Sequence, residues 1–561
     1  MKRTKGTALV LTLVSALLLS ACSGNEANKN NEATSAASSS PAASSAASTG
    51  KTATGKYEPS IEVTTVRDQI LNLKYPDGDS IENNVWTRGI EKELGIKIKY
   101  DWVGSGDYDQ KLSIMLASGE MPDFFKVTDA QLQDLIADDL IADLTDAYEN
   151  NISETARKYM DEGGELSFKM ASKDGKLMAI PFNAGAVEQS PVLWIREDWR
   201  KKLNLPEPKT IQDVLAMAKA FTNDDPDQNG KKDTFGFALA AKDMTTFKQF
   251  ATGFLNSYHA YVDTWVKTSD GKLVYSNTLP EMKTALESLG QLFGSGEMDK
   301  EFVVKDYVQG NDPIIQGKAG IFYGFFYSGG FPLQNLISAD PKSEWKSYPI
   351  LSADDQPARP QGGANAIAYW VVNKKAEHPE AIVKLLNFWM EKFYTKDDAT
   401  FAEYNTSADG SGIWQNTPIQ SNRAFKNLDG HLNLSAVLKG TKPESELTPE
   451  EKTNLTSVKK YLDGDVSFYW VNQIFGENGS LQVIDTYKQN DLGFNNAFYG
   501  PLTETMKNRS ASLEKLSLET FTKMIMGSAK AGDFDTYVAN WNKGGGEQMT
   551  KEVNEWYAAN Q

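Results

Sequence analysis

Cysteine is all but missing from these 561 residues; the one thiol is Cys22. No disulfide can form within the chain, so packing and not cross-links must hold it folded. Histidine is nearly as scarce, with His259, His378 and His431 the three present. None stands in a His-Glu-x-x-His pattern and none has a cysteine partner, which argues against zinc hydrolysis and Cys–His nucleophilic chemistry. The sequence also lacks a Gly-x-Ser-x-Gly elbow, a Gly-Lys-Ser/Thr phosphate loop and a dinucleotide fingerprint. Positive charge is in deficit, with 58 Lys and Arg against 75 Asp and Glu and a net charge of −17. Such a chain is a poor nucleic-acid binder and does not cling to anionic lipid by charge. The balance also disfavours a polyanionic ligand, unless one local basic patch overrides it. Beyond the first 20 residues no run of 18 apolar residues exists, so nothing later reads as a membrane span.

What is present begins with a leader. Lys2, Arg3 and Lys5 precede an apolar run from Ala8 to Leu19, and Leu19-Ser20-Ala21-Cys22 follows. The order is that of a secretory signal. Small residues before a single cysteine resemble a bacterial lipobox, which implies removal of residues 1–21 and diacylation of Cys22. The protein would then be held at the outer face of the cell membrane. Residues 22–56 are mostly Ser, Ala, Asn, Thr and Gly. They cannot bury enough surface to offset their ordering entropy and read as a disordered tether with a reach of roughly 30 Å.

The body from residue 57 is too long for one core and is expected to form two lobes. Its 40% hydrophobic and 11% aromatic content can fill both. Ile61–Val66 reads as a strand, Val85–Leu94 as a helix stopped by Gly95, and Ile96, Ile98, Tyr100 and Trp102 alternate as in a half-buried strand. A helix near Gln110–Ser118 ends at Gly119, and Pro122–Val127 reads as a short buried strand before a helix capped at Thr128-Asp129. Thr210 and Asp213 box the start of another helix. Strands alternating with helices give an α/β class with mostly parallel sheets. Residues 391–460 are less periodic and read as an insertion on the second lobe. Leu513–Trp556 reads as helical.

Asp225-Pro-Asp227-Gln-Asn229-Gly230-Lys231-Lys-Asp233 places oxygen side chains at positions 1, 3, 5 and 9, with glycine at 6 and the Lys231 carbonyl at 7. That is the spacing of an EF-hand-type calcium loop, except that Gly236 stands where the bidentate glutamate belongs. An acidic turn without metal is the other reading. A bound Ca2+ would be structural.

Several stretches carry a family resemblance: Ser118-Gly-Glu-Met-Pro-Asp123, Trp194-Ile-Arg-Glu-Asp-Trp199, Gln316-Gly-Lys-Ala-Gly-Ile321, His378-Pro-Glu-Ala381 through Trp389, and Glu552-Val-Asn-Glu-Trp-Tyr557. In this order, behind a lipobox and a leash, they resemble the solute-binding lipoproteins of carbohydrate ABC importers, the large oligosaccharide subgroup related to maltose-binding protein. The resemblance implies a two-lobed periplasmic-binding-protein-like fold with crossover hinge strands and a ligand cleft. It places lobe one at 57–185 with 355–390, and lobe two at 186–354 with 391–561. Crossings fall just before Trp194, near Pro349 and beyond Trp389. It further implies a monomer that captures an oligosaccharide and delivers it to an ABC permease, with no enzymatic activity. Related lipoproteins carry calcium on a similar loop, with a carboxylate where Thr234 stands here. A ligand-sensing receptor or adhesin of the same fold is the alternative, as is an anchored glycosidase, which needs only two carboxylates.

A sugar cleft needs aromatic plates and planar polar groups. Candidates near the expected crossings are Trp86, Asp129, Asn183, Glu188, Gln189, Phe326, Tyr327, Trp370 and Tyr499. Asp129 lies where maltose-binding relatives place a sugar-binding Asp, but a helix cap explains it equally. Phe326 and Tyr327 belong to an aromatic run of which alternate residues must face a core. Glu188 also reads as a plain surface charge. Trp194, Trp199, Trp389, Trp541 and Trp556 read as packing. The leader makes one firm prediction. Cys22→Ser releases the protein into the medium on fractionation, and continued membrane retention would contradict lipidation.

Overall fold

The computed structural model describes residues 50–51, 55–69, 75–407, 412–529 and 532–560. The expected signal at 1–21, Cys22 and most of the tether at 22–56 lie outside the described residues. The tether's end does not stay free: Gly50–Lys51 pairs antiparallel with Tyr57–Glu58. Buried Tyr57 anchors that pairing by donating its hydroxyl to Glu380 at 2.8 Å. Among the described residues no helix is long and apolar enough to cross a membrane.

Nine strands build the two main sheets: β1 (Ile61–Asp68), β2 (Ile96–Gly104), β3 (Phe124–Val127), β4 (Ile180–Asn183), β5 (Val192–Arg196), β6 (Phe235–Phe237), β7 (Ala319–Gly324), β8 (Trp345–Tyr348) and β9 (Ala366–Val372). The first sheet runs β2-β1-β3-β9-β4 and the second β6-β7-β5-β8. Neither is mostly parallel, which corrects the expectation drawn from the alternation of strands and helices. β1 pairs parallel with β2 and β3, and β6 with β7. The strand β9, which re-enters the first sheet from the other lobe, lies antiparallel to β3 and β4, and β5 lies antiparallel to β7 and β8. A strand arriving from a second lobe enters from the opposite end to strands fed by local helical crossovers, and this reverses its direction.

Local signals fix the helix ends. Asn84 and Thr87 form a capping box on Val85–Leu94, and Gly95 closes that helix at φ 68°. Thr210 and Asp213 do the same for Ile211–Asn223. Thr448 caps Pro449–Leu462 with Glu451, and the proline occupies the first turn, where its missing N–H costs nothing.

Two separate hydrophobic cores follow from the two sheets. One gathers around Trp86, Phe124, Phe125, Tyr369 and Trp389, and the other around Trp194, Trp199, Phe221, Tyr323 and Tyr487. The first core reaches beyond residue 390: Tyr404 and Ile419 belong to it and Trp414 packs against it. The start of the expected second-lobe insertion is therefore first-lobe structure, because its aromatics close over Trp86 and Trp389. Ala358 belongs to the second core and Ala366 to the first, which puts the return crossing at 359–365, beyond Pro349. Leu428 returns the chain to the second core.

Candidate functional site

Three chain segments, 184–191, 359–365 and 420–427, pass between the lobes, and they are tied to one another. Ala184 N–H donates to the Asn365 carbonyl at 3.0 Å, and Gly363 N–H to the Ala186 carbonyl at 3.1 Å. Ser421 accepts from Asn183 N–H at 3.1 Å and donates to the Pro181 carbonyl at 3.0 Å. The approach is close enough to need glycine. A Cβ on Gly362 would meet the Ala186 carbonyl at 2.5 Å, and one on Gly185, at φ +68°, would meet that of Ala424 at 2.6 Å.

Beside these segments lies a cavity of about 460 Å3 with lining from both lobes. The crossings supply Gln189, Gln361 and Asn422, helix Met244–Asn256 supplies Lys248, Gln249 and Thr252, and Phe325 and Ile367 add apolar surface. Ile367 is pushed out of β9 by a register shift between Ala366 and Ala368, and is 57% exposed. Phe325 stacks on Tyr327 at 5.2 Å and 16°. Lys248 is matched by Asp263 at 3.0 Å, and Gln361 spends its amide on Val262 and Thr264. The side chains of Gln189, Gln249, Asn422 and Thr252 make no hydrogen bond to any described residue. Their donors and acceptors face the cavity unspent.

Of the residues expected at a cleft, Gln189 lines this cavity, and Tyr327, 40% exposed, backs its aromatic wall. Phe326 points the other way into the second core, as alternation in the run requires. Asp129 begins helix Asp129–Ala137, but Thr128 caps that helix. Its Oδ1 is shut from solvent without a hydrogen-bond partner among the described residues. Burial pushes its carboxyl up to about 6, against a hydrogen bond from Gln133.

Other expected cleft residues hold structure instead. Trp86 is fully buried, edge-on to Tyr404 at 5.1 Å, and its indole donates to the Ile413 carbonyl at 3.1 Å. Asn183 is buried and donates its amide to the Met160 carbonyl at 3.2 Å. Trp370 donates to the Gln420 carbonyl at 2.7 Å and so fastens the third crossing to β9. Tyr499 packs on Trp556 and donates to the Asn560 carbonyl at 3.3 Å, among the C-terminal helices. Glu188 is no surface charge: at 3% exposure it accepts from Leu428 N–H at 2.7 Å and from the Asn427 amide at 2.8 Å. It ties the first crossing to the third. Burial raises its carboxyl to about 7, although both hydrogen bonds pull downward.

The 225–233 loop is a tight turn with Asp225 at φ 47° and Gln228 at φ 59°. Asp225 accepts from Gly230 N–H at 3.0 Å, and the Asn229 amide donates to Asp227 at 2.7 Å and Asp233 at 3.1 Å. Burial, then the hydrogen-bonded Asp225, raise the Asp227 carboxyl. Among the described residues no three Asp, Glu, His or Cys groups form a ready metal cluster. Three carboxylates gathered around Asn229, two on its side-chain amide and Asp225 on its backbone N–H, are nevertheless the hard-oxygen donor set a Ca2+ ion takes.

The sequence profile described as bacterial extracellular solute-binding protein matches residues 75–392. Lipoprotein LipO of Bacillus subtilis (strain 168) is 24% identical over 84% of this chain and 88% of its own. The polygalacturonan/rhamnogalacturonan-binding protein YtcQ of the same strain is 24% identical over 90% of this chain and 93% of its own. The S. pneumoniae ABC-transporter substrate binding protein FusA has a similar fold. Its structure in complex with kestose aligns with a TM-score of 0.56 at 16% identity, covering 89% of this chain and 99% of that one. Its EF-hand mutant in complex with fructo-nystose aligns with the same TM-score at 15% identity and the same coverage.

The Glu188 tie carries a pH signature. Its carboxyl is raised from the ordinary 4.5 to about 7, so folding favours the protonated form. That contribution is full below the ordinary value and is lost as pH rises through about 7. The thermal midpoint of the native chain should fall more between pH 5 and pH 8 than that of Glu188→Gln. Parallel pH profiles for the two proteins would contradict this.

Proposed function

The chain belongs to the bacterial extracellular solute-binding protein family, and from that premise we propose that its interlobe cavity captures an oligosaccharide for delivery to an ABC permease. One observation carries the reading. Free amides of Gln189, Gln249 and Asn422 and the Thr252 hydroxyl share a cavity with the Phe325 ring, all on the crossings or the second lobe, and Ile367 of the first lobe completes the lining. Sugars offer hydroxyl edges to such amides and CH faces to such a ring. Relatives named for polygalacturonan and rhamnogalacturonan, and one solved with kestose, support the class.

The cycle is an equilibrium between open and closed lobes. A ligand that touches both walls favours the closed form by its differential affinity. The three crossings serve as the hinge. Asp129 and Tyr327 extend the site beyond the cavity, Asp129 as an acceptor for sugar hydroxyls. The family is one of binding proteins, and no bond in the sugar is broken. The mature protein acts as a monomer, tethered through a lipid on Cys22 at the outer face of the membrane.

The 225–233 loop holds Ca2+ through Asp225, Asp227, Asn229, Asp233 and the Lys231 carbonyl. The ion relieves the mutual repulsion of the carboxylates and fixes the turn between helix Ile211–Asn223 and β6. A relative solved as an EF-hand mutant supports this.

A thermal-shift screen of residues 57–561 against plant and microbial oligosaccharides tests capture, since ligand that binds only the folded form must raise the midpoint. One glycan family should raise it and be recovered intact. Recovery of cleaved glycan would overturn the non-enzymatic reading, and no shift with any sugar would overturn capture. Asp225→Ala with Asp227→Ala should lower the midpoint and abolish its sensitivity to a calcium chelator. A native protein that ignores chelator and contains no calcium by elemental analysis would show that the loop is a plain turn.

A further inference from the structure

Lys126 stands one residue before the end of β3, opposite Trp370 of β9. It is half-buried, and its ammonium makes no hydrogen bond or ion pair with any described residue, although its carbonyl accepts from the Tyr108 hydroxyl at 3.4 Å. Its Nζ lies 6.0 Å from the Phe182 ring. Phe182 pairs with Ala368 next to the cavity residue Ile367, and is followed within two residues by Ala184, which also lines the cavity. The ammonium therefore stands in the first lobe, on the strand next to the one that carries the cavity residue Ile367. Asp68 and Asp109 draw it electrostatically and Arg67 repels it, but burial is the largest influence and pulls its pKa down. A cation–ring contact recovers less than a charge loses on leaving water. Lys248, the other cavity lysine, is already matched by Asp263. In a chain of net charge −17, a half-buried cation with no salt bridge among the described residues, one strand from a binding wall, is a charge held ready for something that arrives.

Resting on the capture reading above, we infer that the captured oligosaccharide carries carboxylates, as a hexuronate chain does, and that Lys126 is their counter-charge. The ammonium donates to a ring carboxylate, and the ion pair cancels the cost of burying both partners. The acidic surface elsewhere then keeps free polyanions off the rest of the molecule, so the local cation decides where such a chain docks.

The test is titration calorimetry with a set of hexuronate oligosaccharides and a size-matched neutral set, on the native chain, Lys126→Met and Lys126→Arg. Methionine keeps the stem and removes the charge, so the midpoint without sugar should hold or rise. The acidic set should bind the native protein more tightly than the neutral set, with an affinity that falls as salt rises. Lys126→Met should lose about tenfold or more for the acidic set, as expected for a charge-assisted hydrogen bond, and Lys126→Arg should recover much of it. Equal binding of the two sets, or acidic binding unchanged in Lys126→Met, overturns the inference and leaves the capture reading standing. Absence of binding by every sugar in both sets overturns both.

Discussion

A chain that crosses between two lobes three times must satisfy the polar groups of every crossing without a sheet to do it. That requirement shapes the centre of this molecule. The crossings satisfy one another: Ala184 with Asn365, Gly363 with Ala186, Ser421 with Pro181 and Asn183. Glu188 closes the set by accepting from Leu428 and Asn427. Close approach demands glycine at 185 and 362. The cavity lies beside the crossings, with lining from them, from helix Met244–Asn256 and Phe325 of the second lobe, and from Ile367 of the first.

Each lobe is rigid for a separate reason, since each sheet buries its own aromatic core and, among the described residues, no large core bridges them. The surfaces that meet outside the crossings are held by exposed ion pairs. Lys507 touches Asp134 at 2.9 Å and Lys452 touches Asp398 at 3.0 Å, each joining the two lobes. Exposed pairs of this kind contribute little, roughly 0–1 kcal/mol, so they can break and reform as the lobes move. Strong cores with weak contacts between them are what a hinge requires. The amides left unspent in the cavity can then bias the hinge when a ligand reaches both walls.

Elements governed by local chemistry were legible in the sequence. Gly95 and Gly119 end helices at positive φ as read, and the Thr210–Asp213 box sits at its helix start. The two-lobed class followed from the alternation of strands and helices together with the resemblance. Aromatic roles were not legible, because a sugar plate and a core filler have the same composition. Trp86 is sealed under Tyr404, whereas Phe325, its equal in sequence terms, faces the cavity. Glu188 is one of many carboxylates until the fold places Leu428 N–H against it. Lys248, Gln249 and Thr252 share one helix face whose direction only the second core determines.

The central claim is that a glycan closes the lobes about these crossings. The chain with Cys22→Ser has no cysteine, so two introduced thiols are the only sites for labels. Asp138→Cys and Ala511→Cys place labels on exposed positions of opposite lobes, flanking the Lys507–Asp134 contact. Spin-label distances between them, measured with and without the glycan that raises the thermal midpoint, report the motion directly. The account predicts a broad distribution without sugar that narrows to short distances with it. A distribution unchanged at saturating glycan would contradict closure and with it the proposed mechanism.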